Sequence, residues 1–143
     1  MLQTQQQRVI LGIDPGLAHT GWGIVSQQGS HLFCVAYGCI ETSSSHPLPD
    51  RLGKIYGQIS AVVARYKPEC VSIETVWFGS NTTTAFATGQ ARGAALAACS
   101  GLVSTFAEYS PKQIKLAIVG TGAAEKEQVE YMVQHLLELD SKP

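Results

Sequence analysis

What this chain lacks narrows it first. No apolar run is long enough to span a membrane. The polar, Gln-rich opening from Met1 to Arg8 has no apolar core of the kind that marks a secretory leader. The expectation is a cytoplasmic protein with no membrane attachment, residues 1–8 forming a flexible tail and residues 9–143 one domain. There is no Cys-x-x-Cys pair: Cys34, Cys39, Cys70 and Cys99 fall singly within apolar segments. They read as buried thiols in a reducing compartment, not as a zinc site or a disulfide framework. There is no internal repeat and no low-complexity linker. Basic excess is also missing. Ten Lys and Arg are offset by eleven Asp and Glu, which weighs against a nucleic-acid binder. Two features soften that. Acids spent on metal ions lower the total, and the bases are uneven, with Lys112 and Lys115 close together and Lys126 just after the Gly-rich turn Val119-Gly120-Thr121-Gly122. A solvated face of ordinary lysines gives the same pattern.

What is present centres on Val9-Ile10-Leu11-Gly12-Ile13-Asp14-Pro15-Gly16. A short, mostly β-branched run ends in one carboxylate with a Pro-Gly pair behind it, which reads as a buried strand with an acid at its tip and a tight turn next. Desolvating that acid costs several kcal/mol unless a cation or donors meet it; an Asp capping its own turn is the other reading. Thr20–Val25 and Leu32–Ile40 read as a second and a third strand, joined by short hairpin-like connections. From Leu48 to Tyr66 the apolar residues Leu52, Ile55, Ile59, Val62, Val63 and Tyr66 share a helical face, and Pro68 ends the helix. Val71-Ser72-Ile73-Glu74 is a fourth run that also ends in a carboxylate. If its strand lies parallel to the first, with the helix as crossover, Asp14 and Glu74 emerge at one sheet edge. Two acids there suit a hard divalent cation, Mg²⁺ or Mn²⁺. Two unrelated loop-capping acids are the alternative.

The remaining segments are a helix from Asn81 or Thr82 to about Cys99, rich in small residues; a strand over Val103–Ala107; a short helix opened by Ser110-Pro111; and an amphipathic helix over Glu125–Leu139, with Val129, Met132, Val133, Leu136 and Leu137 on one face. Trp77 and Phe78 follow Glu74 in a polar loop, where an aromatic can stack on an unpaired base or tuck into the core. His19, in the turn beside Asp14, reads as a surface residue.

In order and spacing, Leu11-Gly12-Ile13-Asp14-Pro15-Gly16 with Thr20-Gly21, Ile73-Glu74 with Val76-Trp77-Phe78, Gly89-Gln90-Ala91-Arg92-Gly93, Lys112-Gln113-Ile114-Lys115, Val119-Gly120 and Ala124-Glu125-Lys126 make a specific pattern. From Ile10 to about Leu139 the chain resembles the RuvC family, bacterial Holliday junction endonucleases of ribonuclease H-like fold. The resemblance implies an α/β domain, a five-stranded mixed sheet with helices on both faces. It implies that Asp14 and Glu74 are two of four active-site acids, that Trp77 is a wedge at the junction centre, and that the protein is a homodimer on four-way junction DNA, working beside a branch-migration helicase in recombination and repair. The other two acids belong, in the family, to an Asp-x-x-Asp segment opening a last helix. The sequence stops at Ser141-Lys142-Pro143, short of it, and Asp140 is not expected to replace them. Residues 1–143 are therefore expected to fold but to cut poorly.

The function expected is metal-dependent endodeoxyribonuclease activity: paired nicks leaving 5′ phosphates, by a mechanism using two ions, Mg²⁺ with Mn²⁺ possible. Asp14 (catalytic, bridging both ions) and Glu74 (catalytic, binding one) would be the metal ligands. Trp77, Lys112, Lys115 and Lys126 would be the DNA-binding residues. A non-catalytic junction-binding protein with an incomplete acidic site is the alternative; an actin-like phosphotransfer domain would need a second lobe for which the chain is too short.

Overall fold

The computed structural model describes residues 7–76 and 81–140. Five strands form one mixed sheet in the order β3-β2-β1-β4-β5. The strand β1 (Gln7–Asp14) occupies the centre, flanked by the antiparallel β2 (His19–Gln28) and, beyond it, β3 (His31–Glu41). On the other side of β1 lie the parallel strands β4 (Cys70–Glu74) and β5 (Thr105–Tyr109). The crossover between β3 and β4 is the helix α1 (Leu48–Tyr66), which ends at Lys67 in a left-handed conformation before Pro68. This order pairs Ile13 with Ile73, so the residues that follow, Asp14 and Glu74, leave the sheet at the same edge.

The core forms on one face of the sheet. Leu11 pairs with both Ile24 and Val71, Ile13 with Ile73, and Thr20 with Ile40, and all are buried. Directly paired residues and residues two apart point the same way, so these six apolar side chains form one continuous surface. Helix α1 lays Ile55, Ile59, Val62 and Val63 on it, each burial contributing about 1.5–3 kcal/mol. Helix α2 (Thr82–Cys99) adds Ala91, Ala95, Ala98 and Cys99. Methyl-sized side chains at those positions let α2 approach closely and pack beside α1. The helices α3 (Pro111–Val119) and α4 (Lys126–Leu136) bury no side chain. Among the described residues, the helical cover expected on both faces is therefore deep on one.

Several local expectations shift. Gln7 and Arg8, expected in the flexible tail, are the first residues of β1. Their polar side chains find partners there, Gln7 Nε2 donating to Ser26 Oγ at 2.7 Å and Arg8 to Cys70 Sγ at 3.2 Å. The last strand runs over Thr105–Tyr109 rather than Val103–Ala107, because the Ser104 and Thr105 N–H groups are still turned onto the Glu69 carbonyl and pairing with β4 begins only at Thr105. Helix α4 stops at Leu136, short of Leu139. Glu138 is left-handed, and the Leu139 N–H returns to the Gln134 carbonyl at 2.9 Å. Of the four cysteines expected to be buried, only Cys99 is; Cys34 and Cys70 are half-buried and Cys39 is exposed. Strands β2 and β3 form the side of the sheet away from β4, and Cys39 faces away from the core that its neighbour Ile40 joins. No helix among the described residues is long and apolar enough to cross a membrane.

Candidate active site

Asp14 ends β1 opposite Gly21. The turn behind it is fixed by Thr20, fully buried, whose hydroxyl donates to the Gly16 carbonyl at 2.6 Å and accepts from the Gly16 N–H at 3.3 Å. A Cβ at position 16 would overlap the His19 carbonyl oxygen, so the closeness of this turn requires glycine. Glu74 ends β4, and the next N–H, that of Thr75, is held by the Tyr109 carbonyl at 2.9 Å.

The two carboxyls meet. Glu74 hydrogen-bonds to Asp14, and its pKa is pushed up from 4.5 to about 7. Burial is the largest cause, followed by the hydrogen bond and the negative charge of Asp14, while Lys115 pulls the other way. A Glu74 carboxyl whose ionisation is held back by burial and by Asp14 is the group in the described chain with most to gain from a cation. The donor set, anionic oxygen throughout, is that of a hard divalent metal.

These acids open into a cleft of about 400 Å³. Its walls are Pro15, Thr75, Pro111 and the first turns of α2, which bring Asn81, Thr84 and Thr88. Asn81 caps α2, its side-chain oxygen accepting from the Thr84 N–H at 3.0 Å. Pro111 is set by the capping box of α3, in which Ser110 accepts from the Gln113 N–H at 3.1 Å and Gln113 Oε1 accepts from the Ser110 N–H at 2.8 Å.

Of the lysines singled out from sequence, Lys115 is half-buried on α3, and its charge lowers the Glu74 pKa slightly although it does not line the cleft. Lys112 is exposed, its stem against Gly122, and Lys126 is exposed at the first position of α4. Like Lys115, neither lines the cleft. Trp77 and Phe78 lie outside the described residues. Asp140 is exposed beyond the end of α4 and does not line the cleft. Sequence reasoning did not find Thr84 and Thr88. Their spacing of four residues, which puts both hydroxyls on one helical face, was the available signal.

Comparison with known proteins gives a consistent set. The family model for crossover junction endodeoxyribonuclease RuvC matches residues 10–143. The crossover junction endodeoxyribonuclease RuvC of Rubrobacter xylanophilus is 45% identical over 143 residues, covering 100% of this chain and 80% of that protein. The Vibrio cholerae protein of the same name is 46% identical over 135 residues, covering 94% and 78%. Among solved structures, Thermus thermophilus RuvC in complex with Holliday junction substrate superposes with a TM-score of 0.89 at 34% identity, over 95% of this chain and 83% of that one. The yeast mitochondrial Holliday junction resolvase, at 12% identity and a TM-score of 0.64 over 94% of this chain and 65% of its own, shares the fold.

Proposed function

The chain belongs to the RuvC family of crossover junction endodeoxyribonucleases, and we propose that it resolves four-way DNA junctions by paired nicks, with Asp14 and Glu74 as the catalytic carboxylates described so far. One observation carries this reading: two carboxyls from neighbouring parallel strands come together at the sheet edge in a cleft, where burial and Asp14 raise the cost of ionising Glu74. The family and its fold imply dependence on a divalent metal. The all-oxygen donor set favours Mg²⁺, with Mn²⁺ as a substitute, and we assign two ions to the cleft. When bound, the ions would lower the pKa of an attacking water and stabilise the leaving 3′ oxygen.

The chain's own side chains position the DNA. Asp14 and Glu74 would hold the ions. Thr84 and Thr88 line the wall at the start of α2, where hydroxyls and the helix N-terminus favour a phosphate. Lys115 adds a positive charge at the acids, and Lys112 and Lys126 would extend the contact along the backbone outside the cleft. Trp77, three residues past Glu74, would meet the unpaired centre of the junction. A symmetric junction cut on two strands is matched by a two-fold homodimer, with the small-residue helix α2 as part of its interface, and by delivery from a branch-migration helicase.

The test is a synthetic four-way junction with Mg²⁺ or Mn²⁺, cut by protein that carries an Asp-x-x-Asp segment in addition to these residues. The expected products are symmetric nicks with 5′ phosphates. Asp14→Asn and Glu74→Gln should bind the junction in a metal-free gel and leave it uncut. Normal cutting by either variant would move the active site elsewhere; binding without cutting by the unaltered protein would favour a junction-binding role.

A further inference from the structure

A second cluster of ligand-type side chains stands on the same sheet, away from the cleft. On the antiparallel pair β2–β3, His19 is directly opposite Glu41, and Gly21 is opposite Cys39. Residues two apart on a strand share a face, so His19, Cys39 and Glu41 project together. His19 Nδ1 lies 3.8 Å from a Glu41 carboxylate oxygen and 3.9 Å from Cys39 Sγ, and the three ligand atoms all fall within 4.8 Å of one another.

We propose that His19, Cys39 and Glu41 form a binding site for a thiophilic divalent cation of the zinc type, separate from the Asp14–Glu74 centre. Three observations support this. The first is distance. Around a tetrahedral zinc, imidazole nitrogen and thiolate sulfur stand roughly 3.6 Å apart, and nitrogen and carboxylate oxygen roughly 3.4 Å, from the usual bond lengths. The two separations from His19 exceed these by only a few tenths of an ångström, within reach of side-chain rotation, and Cys39 and Glu41 keep their ligand atoms within 4.8 Å. The second is chemistry. Imidazole, thiolate and one carboxylate are a borderline-soft set that selects zinc over magnesium, the reverse of the all-oxygen pair in the cleft. The third is access. The His19 and Glu41 side chains are 69% and 72% exposed, so a cation can enter and keep a water as fourth ligand. Lys54 Nζ donates to the backbone carbonyl of Glu41 at 2.6 Å rather than to its carboxylate.

The position gives the site a structural consequence. Gly21 pairs with Asp14 on one side and with Cys39 on the other. The three residues form a row across the sheet, which puts Cys39 two strand spacings, about 10 Å, from Asp14. A cation on His19, Cys39 and Glu41 would tie the start of β2 to the end of β3. That is where Thr42 already holds the turn behind Asp14, its N–H donating to the Ala18 carbonyl at 3.0 Å and its hydroxyl to the Leu17 carbonyl at 2.5 Å. Occupancy would therefore brace that turn and raise the thermal midpoint.

Co²⁺ is the probe, added to the fully reduced protein without chelator. The unaltered protein should develop a thiolate-to-cobalt charge-transfer band that saturates at one equivalent and is displaced by Zn²⁺. Cys39→Ser should abolish the band and the rise in melting temperature with Zn²⁺. His19→Ala and Glu41→Gln should each weaken binding by about tenfold or more, since losing a direct ligand costs at least as much as losing an outer-sphere partner. Absence of the band, its survival in Cys39→Ser, or unchanged affinity in His19→Ala would overturn the proposal, the last showing adventitious thiol binding only. No readout uses junction DNA, so the result is independent of the nuclease assignment.

Discussion

The Glu74 carboxyl hydrogen-bonds to that of Asp14, from the end of one parallel strand to the end of the next. This contact follows from the pairing of Ile13 with Ile73, and it makes the acidic pair respond to pH before any metal is present.

In metal-free protein the Glu74 pKa is raised from 4.5 to about 7, so the folded state holds a proton that the unfolded chain releases. The stabilisation is fully present below pH 4.5 and is lost as pH rises through about 7. Thermal unfolding in EDTA should show a midpoint that falls across this window, with the slope flattened in Glu74→Gln. Divalent-cation affinity, measured by calorimetry, should rise over the same window, because the proton must leave before the ligand binds. A pH-independent midpoint would contradict the geometry of the pair.

Asp14→Asn and Glu74→Gln should each lower junction cleavage by about a hundredfold or more, since each removes charge that faces the reacting phosphate. Junction affinity without metal should hold or rise, because a negative charge beside the phosphates is gone. Circular dichroism and a band-shift assay read this directly; loss of the fold instead would assign the acids a structural role.

Lys112→Ala, Lys115→Ala and Lys126→Ala should each flatten the salt dependence of junction binding by a slope of about 1. Lys115→Ala should do more. Its charge holds the Glu74 pKa down, so its loss should move the pH dependence of cation binding upward, while Lys112→Ala and Lys126→Ala leave it in place. Trp77→Ala should leave the salt slope unchanged and weaken junction processing, because stacking releases no counterions.

Gly16→Ala should destabilise the protein by about 1–3 kcal/mol, read from urea unfolding, because the new methyl group meets the His19 carbonyl oxygen. Cleavage should fall further than stability accounts for, since the displaced turn carries Pro15 on the wall of the cleft. A Gly16→Ala protein as stable as the unaltered one would show that the turn has room to open.

Much of this was legible along the chain. Helix α1 spans Leu48–Tyr66 as its periodicity and Pro68 predict, and Asn81 and Ser110 cap their helices as their positions imply. Asp14 and Glu74 end their strands as the apolar runs foretell. Where burial is shallow the signal failed. β5, mostly exposed, begins two residues later than its apolar run, and α4, which buries nothing, stops at Leu136 despite apolar residues to Leu139.

Local sequence determined which segments are helix or strand and where each acid falls, because capping, turn chemistry and periodicity act over a few neighbours. Tertiary structure decided what those residues meet. Asp14 and Glu74 share a hydrogen bond only because β4 lies in register beside β1. Lys115 rather than Lys112 is the lysine whose charge acts on Glu74, and it is the half-buried one of the two. His19 lies twenty or more residues before Cys39 and Glu41, and the three converge because one hairpin register pairs position 19 with 41 and 21 with 39. Spacing along a chain encodes only contacts within one turn or strand; those made across a sheet depend on register, which the packing of the whole core sets.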